Sequence, residues 1–494
     1  MLTILNYIAI FFVLLGTIPL WASLYQFFLI GLHGIKNHYG STGAYLPNVA
    51  IIVPAWNEGE VIGNTIEHLL SMDYPKHALR VYVVDDASTD HTPDVVKAKH
   101  DEYPGNVFHL RREKGGQGKA HTLNHGIQVI LGEKWAEAVL IIDADVLFEK
   151  ETLRLMTRHL TDKTVGSVTA YIKEGSAPGN FISKFIAFEY ITAQAASRRA
   201  QNVMGSLACL AGGAQLHSRE NLLTIGGRID TSSLAEDTFT TFKTQLNGRK
   251  AIFDGNAVVW AEEPGSIESL WKQRLRWARG NVQVTKAFKN IWLNKKNGKN
   301  LGSIGFSLIW FAIVLMPVFM ILSSIGLIWL YFSDFSLSWT LFKQFWILNV
   351  FAYLFITIYS LIIDRQTAKK AWLQGVLFPG IISLTTIVLS CFPGTMDHFI
   401  HFVNGMQHEQ LGLTAKILVL FMYAWLAICM LVAYFAYLSD KHKKPYWLSL
   451  ILILISGFGP LLCAITLYSY IMEYKKAELK WDKTIKSGKV VISK

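Results

Sequence analysis

The chain has 494 residues, of which 51% are hydrophobic, and its formal net charge is +11 at pH 7. This hydrophobicity excludes an ordinary soluble enzyme, and the length allows one catalytic domain of about 250 residues beside a membrane part. The excess of basic residues fits the positive-inside rule of membrane proteins, and the lack of a basic-aromatic recognition motif argues against a nucleic-acid partner.

Five uncharged runs are each long enough to cross the hydrocarbon core of a bilayer, which takes about 20 apolar residues. They are residues 5–32, 303–332, 344–363, 417–438 and 446–472. The first run lacks a basic leader and a small-residue cleavage site, so it is predicted to be a retained anchor and not a signal peptide. A sixth run, 371–396, is interrupted by two Pro-Gly pairs and is predicted to be interfacial or re-entrant.

Between the first two runs, continuous apolar segments alternate with stretches of helical period. The apolar segments are residues 49–53, 81–84 and 139–142, and the helical stretches are 59–71, 93–101 and 119–132. This alternation predicts an α/β domain with a doubly wound, mostly parallel sheet. Ligands of such sheets bind at the carboxyl ends of the strands, so the polar residues that follow the segments should converge on one site. Those residues are Asn57, Glu58, Asp85, Asp86, Asp143 and Asp145.

Several acidic and basic motifs in this region suit a reaction at a phosphate group. Asp143 and Asp145 follow an apolar segment, and two carboxylates in such a place can hold Mg²⁺ or Mn²⁺. The carboxylates of Asp86 and Asp90 have a second interpretation, a turn with a helix cap. The glycine-rich stretch before Lys119 fails the spacing of a P-loop, although a lysine that reaches a phosphate stays open.

Two later motifs each have a structural and a functional interpretation. Glu236 and Asp237 precede a helical stretch, where they would either compensate the helix N-terminus or supply a general base. Residues 265–293 read as an amphipathic helix on a bilayer surface. The same stretch contains the sequence Gln273-Arg274-Leu275-Arg276-Trp277, in which the arginines suit a diphosphate and the tryptophan suits a sugar ring.

Taken in this order, the motifs resemble those of processive family 2 glycosyltransferases, which include cellulose, chitin, hyaluronan and poly-N-acetylglucosamine synthases. The resemblance implies a GT-A-like cytosolic domain fused to a transmembrane helical bundle with interfacial helices. It implies donor contacts at Pro54, Asn57, Glu58, Asp85, Asp86, Lys119, Asn124, Asp143, Gln273, Arg274 and Arg276. It further implies a metal ion, Mg²⁺ or Mn²⁺, at Asp143 and Asp145.

The resemblance also assigns the acceptor side of the reaction. Asp237 matches the catalytic base, beside Glu236, although Ala235 stands where the family usually has threonine. Trp277 matches the residue that positions the polymer end, and Gly212 with Gly213 resembles an acceptor loop, with a plain tight turn as the alternative.

The expected activity is inverting polymerisation of a β-linked polysaccharide from a UDP-sugar, with passage of the product through the membrane helices. UDP-N-acetylglucosamine is favoured over UDP-glucose as the donor. Two alternatives stay open: transfer of a single sugar to a lipid acceptor, and an inactive transporter or scaffold. The expected partners are the donor, the growing polysaccharide and the bilayer, with room for accessory membrane or export subunits.

The protein is expected to be a multi-pass plasma-membrane protein with its catalytic domain in the cytosol, and this location determines the expected topology. The N-terminus is then outside, and both Arg365 and the tail, which has seven lysines after Met472, are inside. Five crossings result if 371–396 does not cross, but the lysines at 441, 443 and 444 then lie outside, against the rule. The predicted parts are an anchor (1–35), the catalytic domain (36–264), an interfacial helix (265–300), a channel region (301–472, with the interfacial or re-entrant part at 371–413) and a tail (473–494).

Overall fold

The computed structural model describes residues 1–36, 42–405, 411–478 and 490–492. The chain separates into two compact units. One is built on Leu29–Gly265 and Gln283–Ser307, with the described residues of the C-terminus. The other is built on Met1–Phe28, Ser266–Val282 and the described part of Leu308–Ala477. The predicted tail lies largely outside the described residues.

The first unit contains one sheet, to which eight strands contribute among the described residues. The strands are β1 (Val49–Ala55), β2 (Leu79–Asp85), β3 (Val107–Arg111), β4 (Ala138–Ile141), β5 (Val146–Phe148), β6 (Val165–Glu174), β7 (Gln215–Ser218) and β8 (Lys250–Ala261). Their order across the sheet is β3-β2-β1-β4-β7-β6-β8-β5.

The sheet is mixed. β1 pairs in parallel with both β2 and β4, β2 with β3, and β6 with β8. β7 lies antiparallel between β4 and β6, and β5 is antiparallel to β8. The three predicted strands are therefore β1, β2 and β4, which pair in parallel. β5 and β7, which lie antiparallel to their neighbours, have only three and four residues.

The first unit also contains helices. In chain order they are α2 (Gly59–Leu70), α3 (Thr92–Glu102), α4 (Lys119–Glu133), α5 (Thr152–Thr157), α6 (Phe181–Glu189), α7 (Ser197–Met204), α8 (Arg219–Thr224), α9 (Glu236–Leu246) and α11 (Lys295–Gly298), and a π-helix at Tyr190–Ala196 joins α6 to α7. The sheet face of α4 is buried against Ile52 and Val84. A methyl group at Gly126 of α4 would lie 2.8 Å from Val84 Cγ2, so glycine lets the helix approach the sheet closely.

The second unit is helical. Its helices are α1 (Leu2–Ile35), α10 (Ile267–Ala287), α12 (Ile304–Val314), α13 (Met316–Ser333), α14 (Phe335–Ile363), α15 (Arg365–Lys370), α16 (Trp372–Val376), α17 (Ile381–Ser390), α18 (Thr395–Asn404), α19 (Leu413–Lys441), α20 (Tyr446–Ser456) and α21 (Phe458–Tyr474). Within the described residues, α1, α13, α14 and α19 are long and apolar enough to cross a membrane, and α20 with α21 makes a fifth candidate if the bent pair counts as one span.

Three of the predicted uncharged runs are discontinuous helices. The run 303–332 is divided into α12 and α13 at Leu315. The run 446–472 is divided into α20 and α21, which are bent by 96° at Gly457. The run 371–396 contains α16 and α17, with Gly380 between them. Both glycines have positive φ angles, +99° and +82°, which favour glycine and interrupt helical geometry.

Candidate active site

The loops after β1 and β2 are tied together by side-chain and backbone hydrogen bonds. The Asn57 amide N–H donates to Ser88 Oγ (2.9 Å), and that of Glu58 donates to Thr92 Oγ1 (2.8 Å). Pro54 lies next to the end of β1, paired in register with β2. The predicted donor residues after β1 thus share one corner with the loop that follows β2.

Asp85 ends β2 and is completely buried. The backbone N–H of Ser88 donates to one carboxylate oxygen (2.8 Å), while Arg111 Nη1 lies 3.1 Å and His109 Nε2 3.5 Å from the other. Burial alone would raise the pKa of Asp85, but the hydrogen bonds from His109 and Ser88 and the charge of Arg111 lower it below its ordinary value. Asp85 is therefore a charged anchor of this loop.

Asp86 holds the glycine-rich stretch before Lys119, the lysine that is predicted to contact a phosphate group. Its carboxylate pairs with Arg112 and accepts a hydrogen bond from the Gly116 N–H (2.9 Å). A methyl group at Gly115 would lie 2.1 Å from the Asp86 carbonyl oxygen, so only glycine fits. The glycines bring the chain against Asp86, which supports the exclusion of a P-loop.

Lys119 begins α4 and reaches into the centre of the site. Its ammonium donates to Asp143 and, at 3.2 Å, to the Gly212 carbonyl oxygen, and its side chain is 8% exposed. Burial would lower the pKa of Lys119, but nearby Asp143, Glu236 and Asp237 raise it above its ordinary value. The lysine stays charged and joins the Asp143 carboxylate to the Gly212 loop.

Gly212 and Gly213 line the space between these charged groups. A methyl group at Gly212 would lie 3.5 Å from both Asp237 Oδ2 and Lys119 Nζ, and one at Gly213 would lie 3.5 Å from Asp143 Oδ2. The structure therefore brings together five residues that the sequence singled out. The absence of side chains at the two glycines leaves room beside Asp237.

Asp143 and Asp145 fit a divalent cation that is also coordinated by a substrate. Asp145 is 7% exposed, and the ammonium on Asp143 shows that a positive charge is accommodated there. Among the described residues, no group of three or more His, Cys, Asp or Glu side chains could hold a metal ion by itself. Mg²⁺ and Mn²⁺ need no such group, because they take one or two carboxylates and complete their coordination with phosphate and water.

The C-terminus contributes to the surroundings of Asp145. Val490 forms an antiparallel bridge with Ser176, and the Val491 N–H donates to the Gly175 carbonyl oxygen (2.9 Å). Val490 and Asp145 line the same small cavity. These residues belong to the predicted tail, and their contact with the loop after β6 has no signal in the sequence.

Asp237 lies in the first turn of α9, beside Glu236. Its Oδ1 accepts a hydrogen bond from the Thr238 N–H (2.7 Å), which fixes one oxygen at the helix N-terminus. Its Oδ2 faces the Gly212 loop. One oxygen therefore accepts a hydrogen bond in the first turn of α9 while the other faces the Gly212 loop, and the role of general base stays a prediction.

Two residues beside Asp237 were missed in the sequence. The Cys209 thiol lies within hydrogen-bonding reach of Thr238 and Asp237, and burial, reinforced by the charge of Asp237, raises its pKa well above the ordinary value. Arg198 of α7 is 9% exposed, and burial lowers its pKa although Cys209 and Asp237 oppose that shift. Neither residue belongs to a recognisable sequence motif. The charge of Asp237 acts on both because the fold brings them near it.

Asn124 has a structural partner. Its Nδ2 donates to the Ile229 carbonyl oxygen (2.9 Å), and its Oδ1 accepts from the Ile229 N–H (2.7 Å). The structure thus uses both ends of this amide to hold a loop and does not bring it into the cluster around Lys119. Its donor role stays a prediction.

The Gln-x-x-Arg-Trp motif lies on α10. The Arg274 guanidinium carbon is 4.0 Å from the centre of the Trp277 ring, and Nη1 of the same arginine donates to Gln273 Oε1 (2.5 Å). Trp277 is 36% exposed and Arg274 is buried. The guanidinium thus lies over the indole ring, a cation–π contact between two residues of the motif. The roles of these residues and of Arg276 in substrate binding stay predictions.

A family model described as "Glycosyltransferase like family 2" matches residues 47–280. The protein named Probable glycosyltransferase YdaM of Bacillus subtilis is 30% identical over 245 residues, which cover 49% of this chain and 57% of that protein. A poly-beta-1,6-N-acetyl-D-glucosamine synthase of Staphylococcus epidermidis is 26% identical over 255 residues, which cover 51% of this chain and 58% of that synthase. The chain thus spans less than two thirds of the length of either relative.

Among solved structures, the mannosyltransferase PcManGT from Pyrobaculum calidifontis, in complex with GDP-Man and Mn²⁺, superposes with a TM-score of 0.52 at 23% identity. The match covers 73% of this chain and 99% of that chain. This likeness confirms the GT-A-like fold class.

Proposed function

We propose that this chain, whose residues 47–280 match the family 2 glycosyltransferase model, is a glycosyltransferase of that family and polymerises a β-linked polysaccharide from a UDP-sugar. The observation that carries the proposal is the meeting of Asp143, Lys119 and Asp237 around the Gly212–Gly213 loop. A leaving phosphate, a cation and a proton acceptor are all needed within one site for an inverting transfer, and this loop leaves space among them.

On the donor side, Asp143 and Asp145 would hold the metal ion. When bound, a divalent cation supplies stabilisation of the negative charge that develops on the departing diphosphate. The Mn²⁺ in the mannosyltransferase structure supports this choice of cofactor. Lys119 adds a positive charge beside Asp143, and the loops held by Asp85 and Asp86 would receive the nucleotide.

On the acceptor side, Asp237 is proposed as the base. The acceptor hydroxyl oxygen forms a bond to the anomeric carbon while the bond from that carbon to the UDP oxygen breaks, and the hydroxyl proton passes to Asp237 Oδ2. The hydrogen bond from the Thr238 N–H holds the other oxygen, so Oδ2 is presented in a fixed direction. Gly212 and Gly213 leave room for the acceptor sugar.

The membrane part and the relatives favour a polymer as the product. Long apolar helices accompany the catalytic domain, and the Gln-x-x-Arg-Trp motif on α10 would position the end of the growing chain. The names of the staphylococcal relatives favour N-acetylglucosamine as the transferred sugar. We place the catalytic domain in the cytosol and the protein in the plasma membrane, where donor and product would lie on opposite sides.

The test is product sizing with purified protein in detergent or lipid. UDP-N-acetylglucosamine and UDP-glucose, each radiolabelled in the sugar, are supplied with Mn²⁺ or Mg²⁺, and the products are separated by length and digested with linkage-specific glycosidases. A ladder of long oligosaccharides from one donor supports the proposal. A single labelled glycolipid would establish the non-processive alternative, and no transfer from any nucleotide sugar would overturn the proposal.

A further inference from the structure

The start of α10 is attached to the end of α19. The backbone N–H of Glu268 donates to Asp440 Oδ2 (2.8 Å), and the Trp271 ring stacks on Tyr437 with 4.2 Å between centroids. Trp271 is 1% exposed, so this contact is a packed junction and not a loose surface pair. The C-terminus of α19 therefore lies beside α10.

The end of α21 is attached to α10 as well. Arg279 Nε lies 2.7 Å from Glu473 Oε1, and Arg279 Nη2 donates to the Ala477 carbonyl oxygen (2.6 Å). Both side chains of the ion pair are largely buried, 7% exposed for Arg279 and 13% for Glu473. Since α20 starts at Tyr446, a few residues after α19 ends, α20 and α21 together begin and end beside α10.

The opposite end of α19 packs against a different set of elements. The Gly412 N–H, just before α19, donates to Asn404 Oδ1 at the end of α18 (2.6 Å). The Tyr423 hydroxyl, in the N-terminal half of α19, lies 3.1 Å from Ser338 Oγ near the start of α14. Nearby on α14, Lys343 Nζ lies 2.9 Å from Asp397 Oδ2 of α18. α19 has 29 residues and is thus roughly 43 Å long, enough to cross a bilayer. α18 and the start of α14 therefore lie on the membrane side opposite to the junctions with α10.

From these contacts we infer that α20 and α21 form a re-entrant pair on the side of α10, and that α16 and α17 make the crossing in their place. α14 starts on the side opposite to α10 and has 29 residues, enough to cross a bilayer, so the chain leaves α14 on the side of α10. The chain then reaches α18 on the opposite side, so the segment between α14 and α18 must cross. The number of crossings stays at five. Lys441, Lys443 and Lys444 then join Arg365 and Lys369 on one side, which satisfies the positive-inside rule if that side is cytosolic.

The backbone at the two helix breaks supports this arrangement. The N–H groups of Phe458 and Gly459 donate to the Phe378 carbonyl oxygen at 2.9 and 3.2 Å. A methyl group at Gly380 would lie 2.5 Å from the Gly457 backbone nitrogen. Irregular backbone at membrane depth is tolerated only where protein buries it and satisfies its polar groups, and each break does this for the other. This explains why both segments are interrupted.

The re-entrant pair has a consequence for the active site, which rests on the proposed function. Glu473 at the end of α21 holds Arg279, which lies two residues after Trp277 on α10. Glu473 is therefore a positioning residue for the Gln-x-x-Arg-Trp motif. The paired breaks fix α21, and α21 in turn fixes the helix that carries the motif.

Cysteine accessibility tests the topology without any need for activity. Lys443→Cys and His398→Cys, both at exposed positions, are placed in a chain whose four natural cysteines are replaced by alanine. A membrane-impermeant maleimide should label the first in inverted vesicles only and the second in right-side-out vesicles only. Labelling of both positions from the same side would overturn the inference. So would the reversed pattern, which is the one that the topology expected from the sequence requires. If the cysteine-free chain does not fold, epitope tags inserted at the same two positions in the natural chain give the same readout.

The positioning role has a separate test. Glu473→Ala should raise the KM for the UDP-sugar about tenfold with a smaller change in kcat, because the motif loses its support while Asp237 stays intact. Glu473→Asp should restore much of the KM, and Lys476→Ala, at an exposed neighbouring position, serves as the matched control. An unchanged KM for Glu473→Ala would refute the positioning role. A wild-type protein that transfers no sugar would instead refute the proposed function and leave the labelling result standing.

Discussion

The ammonium of Lys119 is bonded to Asp143, one of the two carboxylates predicted to hold the metal ion. The same ammonium bonds to the Gly212 carbonyl oxygen, so it joins the proposed metal site to the acceptor loop. A divalent cation and the Lys119 ammonium are both attracted to the negative charge of Asp143. They therefore compete when no donor is present, and a donor diphosphate offers the lysine an alternative partner.

The first prediction follows from this competition. Lys119→Met should bind Mn²⁺ about tenfold more tightly than the wild type in the absence of donor, which corresponds to about 1.4 kcal/mol. It should nevertheless transfer sugar more slowly, because a positive charge beside the diphosphate is lost. The measurement is Mn²⁺ titration followed by electron paramagnetic resonance, with Lys114→Met, at an exposed position of the same stretch, as the control. Weaker Mn²⁺ binding in Lys119→Met would contradict the competition.

The second prediction concerns the base. Asp237→Asn keeps the size and the hydrogen bond from the Thr238 N–H but cannot take a proton, so kcat should fall at least about 100-fold. Donor binding should stay within about twofold of the wild type, since Asp143 and Asp145 are untouched. UDP release and equilibrium UDP binding measure the two effects. Near-normal turnover of this variant would remove Asp237 from the proton-transfer step.

Much of the parallel half of the fold is readable from the sequence. The segments that became β1, β2 and β4 are continuous apolar runs because strands buried on both faces need no polar side. The Asp143 carboxylate, which follows β4, meets the Gly212–Gly213 loop as the strand-end rule requires. The antiparallel strand β7 has only four residues, too few for a periodic signal, and its pairing depends on contacts that are distant in sequence.

The remaining parts depend on three-dimensional packing. The helix breaks at Gly380 and Gly457 pack directly against each other, because the backbone of one occupies the place that a side chain at the other would take. A hydropathy pattern scores the two segments separately and cannot register that contact. Arg198 and Cys209 lie in segments between the recognised motifs, so their positions in the sequence do not predict that they lie near Asp237. Asn124 is the opposite case. The motif predicts that it contacts the donor, whereas in the structure its side chain is hydrogen-bonded to the backbone of Ile229.

The third prediction tests the space at the acceptor loop. A methyl group at Gly212 meets Asp237 Oδ2 and Lys119 Nζ at 3.5 Å, an ordinary contact distance, so Gly212→Ala should fold normally. It fills the gap beside the base, and kcat/KM for the acceptor should fall about tenfold or more while UDP binding is unchanged. Gly132→Ala, on α4 with nothing near its added methyl, is the matched control. Wild-type acceptor kinetics in Gly212→Ala would show that the acceptor does not pass this loop.

The fourth prediction concerns stability and pH. Burial lowers the pKa of His217 in β7 to about 4, against an ordinary value of 6.5. The unfolded chain takes up a proton below pH 6.5 whereas the folded chain does not until about pH 4, so stability is lost as the pH falls through this window. At pH 5 this histidine alone should cost about 2 kcal/mol, since each pKa unit corresponds to about 1.4 kcal/mol.

The variant that isolates this effect is His217→Gln, which removes the buried titrating ring. The comparison is the apparent Tm of wild-type and variant full-length protein at pH 7.5 and pH 5, since other carboxylates and histidines titrate equally in both. The wild type should lose several degrees more than His217→Gln between these pH values. His77→Gln, which removes an exposed histidine, should keep the larger wild-type loss. If His217→Gln loses as much Tm as the wild type, the buried ring accepts its proton in the folded state, and the packing of β7 against Asn221 must be looser than the 3.2 Å contact between Asn221 Nδ2 and His217 Nδ1 implies.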